Sequence, residues 1–277
     1  MPPTRRKVPA LLGGLVLITA VLVSTALSAP PSAPQTRPVF VRSCLGYCKH
    51  PTNAGKVFRW GHEAWHQEFE TGPFSKHWKS NHRRAIGQQK GMLTIRAGRH
   101  SGTIKVWPDN QAARTGRWEA RIRPYEHSRS GARYEFTWEL VPAYGDDRCG
   151  ANAIVLARYR PGDKRVTGSV RTPPHSSFTY SRARDLQNRA WHTYAVEITQ
   201  HHISWFVDTR VVRTETRPAA LSGVRYRPQL VMKAKHGAAM RQSWMQADWV
   251  RYYTMKRHNA RSIKAPRMHK STYLHGC

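Results

Sequence analysis

Carboxylates are scarce in this chain: 16 aspartates and glutamates stand against 46 lysines and arginines in 277 residues, a formal net charge of +30. Such a surface attracts polyanions and associates with them in a salt-dependent way. Outside a cell that means anionic wall polymers, acidic polysaccharides, phospholipid headgroups or stray nucleic acid, whereas an even spread of arginine set by composition gives the same total with no dedicated site. Cysteine is equally sparse, and Cys44, Cys48, Cys149 and Cys277 lack the paired spacing of a zinc knuckle, which argues against a metal finger. There is no Gly-rich phosphate loop, no nucleophile elbow and no nucleic-acid-binding fold motif, so nothing points to a nucleotide enzyme, a serine hydrolase or a specific nucleic-acid partner. No stretch has a convincing amphipathic-helix period, and no internal repeat is visible, which removes helical bundles and solenoids.

What is present begins with an export pattern. Arg5, Arg6 and Lys7 precede an apolar run from Val8 to Leu27, and Ala26, Ser28 and Ala29 supply small residues for cleavage, so residues 1–29 are expected to be a signal peptide and the mature protein secreted. The run approaches the roughly 20 residues that span a bilayer, which makes an uncleaved membrane anchor the alternative; no other membrane segment is expected. In an exported chain the four cysteines suit disulfides, either Cys44 with Cys48 and Cys149 with Cys277, or Cys277 with Cys44 or Cys48. Residues 30–56 form a Pro-rich leader, 57–255 the domain, and 256–277 a basic tail.

Within the domain the pattern is β. Trp118, Ala120 and Ile122 alternate with Arg117, Glu119, Arg121 and Arg123, and Phe136, Trp138 and Leu140 alternate with Glu135, Thr137 and Glu139. Further runs cover 165–171, 178–182, 191–199, 203–207, 211–214, 229–235 and 243–255. Many short strands without intervening helices predict an antiparallel sandwich or jelly roll, with Trp118, Ile122, Tyr194, Val196, Trp205 and Val207 in its buried layers. Trp60, Trp65, Phe69, Phe74 and Trp78 form an aromatic cluster expected to pack in the core.

Several short motifs in series carry a resemblance. Trp191 to Thr199 (WHTYAVEIT), Ile203 to Asp208 (ISWFVD), Val211 to Arg213 and Ala247 to Tyr253 (ADWVRYY) resemble the closing strands of glycoside hydrolase family 16. Gly116 to Arg123 and Trp138 to Leu140 resemble two earlier strands. The resemblance implies an all-β, concanavalin A-like jelly roll of two antiparallel sheets, the concave one forming a sugar-binding cleft. For working members it also implies hydrolysis of β-linked polysaccharides with retention.

Retention needs two carboxyl groups about 5 to 5.5 Å apart, one as nucleophile and one as acid/base. The family supplies them from one strand as E-x-D-x-E or E-x-D-x-x-E, and the strand expected to hold them here, Cys149 to Tyr159, has no carboxylate. The bulged motif places Ala151, Ala153 and Leu156 at the three positions; a shift of two gives Ala153, Val155 and Arg158. Glu135 and Glu139, at i and i+4 on one strand face, are an alternative pair, although their Cα atoms lie about 13 Å apart in extended chain. Glu119 is a further carboxylate to weigh. Trp107, Trp138 and Arg158 are expected to contact carbohydrate, and no cofactor is expected beyond the structural calcium that some family members hold. His201 and His202 are expected in an exposed turn, and His192 as a hydrogen-bonded structural residue. The expected function is therefore an exported binder of extracellular polysaccharide, neutral or anionic, with the family's hydrolytic activity lost. The alternatives are a glycosidase using Glu135 and Glu139 and a charge-driven binder of anionic wall polymers.

Overall fold

The computed structural model describes residues 53–70, 77–143, 153–172 and 176–256. The four cysteines, Phe74 and Ala151 lie outside the described residues. The first half of the domain contains β1 (Trp65–Gln67), β2 (Trp78–Ser80), β3 (Ile86–Gln89), β4 (Met92–Ala97), β5 (Ile104–Pro108), β6 (Gly116–Glu126) and β7 (Glu135–Pro142). The second half contains β8 (Ala153–Tyr159), β9 (Arg165–Thr172), β10 (Ser176–Ala183), β11 (His192–Ile198), β12 (Ile203–Val207), β13 (Arg210–Glu215), β14 (Tyr226–Lys233) and β15 (Ser243–Tyr253). Among the described residues the helical pieces are short: α1 (Ala54–Val57) and two 3-10 turns.

All pairings between these strands are antiparallel, and they make two sheets. The first has the order β13-β12-β11-β6-β15-β4-β3, with β1 added beside the C-terminal end of β15. The second has the order β10-β9-β8-β7-β14-β5-β2. In each sheet a run of consecutive strands is joined to strands distant in sequence, as in a jelly roll, and the two-sheet architecture is the one the alternation predicts. Trp118, Ile122, Tyr194, Val196, Trp205 and Val207 are all buried in one core between the sheets, where they meet Phe136, Leu140, Val170 and Leu230. Phe69 and Trp78 join that core with rings 5.3 Å apart, but Trp60 does not. It sits with Phe58, Phe206 and Tyr253 in a second cluster on the outer face of the first sheet, beneath α1, so packing begins a few residues before Val57.

One irregularity in β8 sets up everything that follows. Its register against β7 slips between Trp138 and Glu139, and against β9 between Val155 and Arg158, so β8 carries one extra residue at Leu156–Ala157. A bulge takes backbone groups out of the ladder, and here the core supplies replacements. Trp205 Nε1–H donates to the Val155 carbonyl at 3.1 Å, and the Tyr180 hydroxyl donates to the Leu156 carbonyl at 2.5 Å. Gly168 of β9 lies opposite, where a Cβ would stand 2.1 Å from the Tyr180 ring and 2.7 Å from the Val155 oxygen. Gly168→Ala is therefore expected to cost about 1–3 kcal/mol by overpacking. A drop in thermal midpoint checks this, and an unchanged midpoint would mean the bulge does not depend on that space.

Candidate functional site

Residues directly opposite in an antiparallel pair share a face, so the register defines the outer surface of the second sheet. One cross-strand row reads Thr167, Arg158, Thr137, Val231, Lys105. The next reads Ser169, Val155, Glu139, Gln229, and Arg171 faces Ala153 beyond it. Thr103, Lys105, Glu135, Thr137, Glu139, Val155, Arg158, Arg171, Val231 and Lys233 enclose a groove of about 390 Å³ on this surface.

Because the bulge inserts one residue, the outward positions of β8 are Ala153, Val155 and Arg158, at i, i+2 and i+5. That is the spacing of E-x-D-x-x-E. Of the two registers open in the sequence, the first is corrected: Leu156 is fully buried in the core, and Ala153 takes the first position of the motif rather than the second. The three outward side chains are apolar, apolar and cationic.

Trp138 is also corrected. It is 1% exposed and belongs to the core between the sheets, because it lies one residue out of phase with Thr137 and Glu139, so its ring offers no face to a sugar. Trp107 is partly exposed and on the groove face, two residues from Lys105 and opposite Lys79, with the Arg227 guanidinium 5.0 Å from its ring centre.

Glu135 and Glu139 both line the groove, and both are engaged. Glu135 pairs with Arg160 at 3.2 Å. Glu139 accepts from Gln229 Nε2 at 3.0 Å and lies 3.6 Å from Arg171. Burial pushes the Glu139 carboxyl up, against the pull of Arg171 and Gln229. Arg121 is in the other sheet and binds Asp248 at 2.6 Å. Lys105, Arg171, Lys233 and Gln229 escaped the sequence reading. Each is a polar residue in an alternating strand, which marks a solvent face without saying whose face it is.

Glu119 is far from this groove, on the outer face of the first sheet, where it accepts the backbone N–H groups of Ala54 and Gly55 at the start of α1. Burial pushes its carboxyl up to about 8, with those two donors pulling the other way. Between its ordinary 4.5 and about 8 the unfolded chain has released this proton while the folded chain keeps it, so stability falls as pH rises through that window. The expected loss is on the order of 4 kcal/mol, and Glu119→Gln should flatten it. Urea midpoints at pH 5 and pH 8 for both proteins measure the difference; parallel slopes would refute it.

His192 is structural as expected, with Nδ1 2.9 Å from Asp208 and Nε2 3.2 Å from the Asp185 carbonyl. His202 departs from expectation: the 199–202 turn is present, but Nε2 reaches inward to Glu197 at 2.8 Å. Among the described residues no group of three or more His, Cys, Asp or Glu side chains is placed to hold a metal ion.

The comparisons agree with the fold. Residues 166–255 match the family model "Glycosyl hydrolases family 16". The fold is that of the endo-β-1,3-glucanase from Pyrococcus furiosus, with 14% identity, a TM-score of 0.57, and 70% of this chain and 94% of that one covered. The laminarinase from Flavobacterium sp. UMI-01 is similar at 16% identity and TM-score 0.55, covering 70% and 100%. The laminarinase from Rhodothermus marinus is similar at 17% and 0.54, covering 70% and 97%. A search of curated proteins by sequence found no match. The protein is thus a family 16-like jelly roll.

Proposed function

We propose that this chain is an exported polysaccharide-binding protein that keeps the cleft of a family 16 jelly roll and has lost its hydrolytic machinery. The observation that carries this reading is the bulged strand β8, whose groove-facing positions hold Ala153, Val155 and Arg158 where hydrolysis needs carboxylates. A cleft without the acids still binds. Trp107 presents an apolar ring on which the C–H face of a sugar stacks while both surfaces leave water, and Arg158 is a fixed donor fork toward ring oxygens. The names of the similar structures, glucanase and laminarinase, favour β-glucan-type polymers as the first ligands to try.

Affinity electrophoresis over laminarin, mixed-linkage glucan and a panel of acidic polysaccharides tests the proposal. Retardation on at least one, weakened about tenfold by Trp107→Ala, is expected. Unaltered migration on all of them would end it. The second reading, hydrolysis by Glu135 and Glu139, is favoured by one observation: both line the groove, and burial keeps Glu139 toward its protonated, proton-donating form.

A further inference from the structure

The groove contains more positive charge than its own carboxylates absorb. Glu135 is paired to Arg160, and Glu139 to Gln229 and Arg171. Lys105, Arg158 and Lys233 line the same groove; among the described residues none of them forms an ion pair within 4.0 Å, and Glu139, already held by Gln229 and Arg171, acts on Lys105 and Arg158 only from farther off. Register brings the three together. Arg158 and Lys105 stand in one row with Thr137 and Val231 between them, while Lys233 is two residues along β14 from Val231 and opposite Glu135. Three strand spacings separate the Arg158 and Lys105 backbones, about 14 Å, and Lys233 sits about 7 Å along the strand. Long side chains from those positions reach over the same floor of Thr137 and Val231.

A neutral glycan laid on that floor offers the three cations hydroxyl and ring oxygens in exchange for water but no opposite charge, so their desolvation is only partly offset. An anionic group on the sugar supplies the missing partner, and a guanidinium meets a carboxylate or sulfate through two parallel hydrogen bonds. Arginine at position 158 also reverses the charge that a family acid at that place would have set against an anionic sugar.

We propose that the groove takes an acidic polysaccharide, one with a carboxylate or sulfate on its repeating sugars, and that Arg158, Lys105 and Lys233 hold that anionic group. This rests on the polysaccharide-binding reading above.

The test is titration calorimetry with polygalacturonate, a carrageenan and laminarin, at about 50 and 300 mM salt, spanning a range over which screening shortens markedly. The proteins are wild type, Arg158→Gln, the pair Lys105→Gln with Lys233→Gln, and a control pair, Arg96→Gln with Arg189→Gln. The control arginines are exposed and stack on Trp244 and Tyr125, carried by β15 and β6 of the first sheet, and they remove the same charge as the lysine pair. One or both acidic polymers should bind at least about tenfold tighter than laminarin, a gap of one fully formed charge-assisted contact. Each groove variant should lose about tenfold, with the control pair losing less than about twofold. Preference for polygalacturonate or for carrageenan identifies the anion as carboxylate or sulfate. Laminarin binding as tightly as the acidic polymers would overturn this inference and leave the polysaccharide-binding reading standing. So would an equal loss in the control pair, which would make the attraction one of bulk charge. Binding to none of the three polymers would remove both.

Discussion

Wild-type protein held for long periods with β-1,3-, β-1,4- or mixed-linkage glucan should release no reducing ends above the buffer background. Double displacement requires a carboxylate to form the glycosyl-enzyme intermediate and a second group to protonate the leaving oxygen. On the groove face of β8 stand Ala153, Val155 and Arg158, of which Val155 and Arg158 line the groove, and none does either job. Arg158 further opposes the reaction by placing a positive charge where oxocarbenium charge develops. The expected deficit against a working enzyme is at least about 10⁶-fold, the lower end of enzymatic acceleration. Reducing-end assays on wild type beside Glu135→Gln and Glu139→Gln decide the matter. Turnover that both substitutions abolish would transfer the chemistry to that pair and reverse the conclusion.

Glu197→Leu should lower the unfolding free energy by about 3–5 kcal/mol, the cost of leaving a buried cation without its anion. Arg117 is fully buried, and its Nε donates to Glu197 at 2.6 Å while Nη1 donates to the Thr254 carbonyl at 3.1 Å. His202 holds the other carboxylate oxygen, and the Trp60 ring lies 5.4 Å from the guanidinium. Burial pushes the Glu197 carboxyl up, but His202 and Arg117 outweigh it and hold the group below its ordinary 4.5. A depressed carboxylate stabilises the fold above that value, and the contribution disappears as pH falls through the folded one. Chemical denaturation at pH 7 and pH 4 measures both effects. Arg117→Leu combined with Glu197→Leu should recover much of the single-variant loss, since a matched apolar pair removes the stranded charge. A single-variant cost under about 1 kcal/mol would show that solvent reaches the site.

Much of the architecture was legible because a strand half exposed to water writes its period into the sequence. Trp118 with Ile122, and Tyr194 with Val196, announce buried faces through their polar neighbours, and they are buried. Trp138 shows where that reading stops. Its alternation with Thr137 and Glu139 was plain, but alternation separates two faces without saying which one is the cleft, and the tryptophan is on the core side. His202 was unreadable for another reason: its partner Glu197 is five residues away across a hairpin turn, and only the turn's geometry aims the ring at it.

The sequence by itself determined that the domain is built of two-faced antiparallel strands, that its closing motifs are family-like, and that the stretch Cys149–Tyr159 has no carboxylate to offer. Those are properties of composition and period, and no folding can alter them. Only the tertiary structure decided which residues of that stretch meet the groove, because a single extra residue at Leu156–Ala157 changes the parity of everything after it. Trp205 and Tyr180, from strands far along the chain, hold that extra residue in place and so aim Arg158 outward to join Lys105 and Lys233.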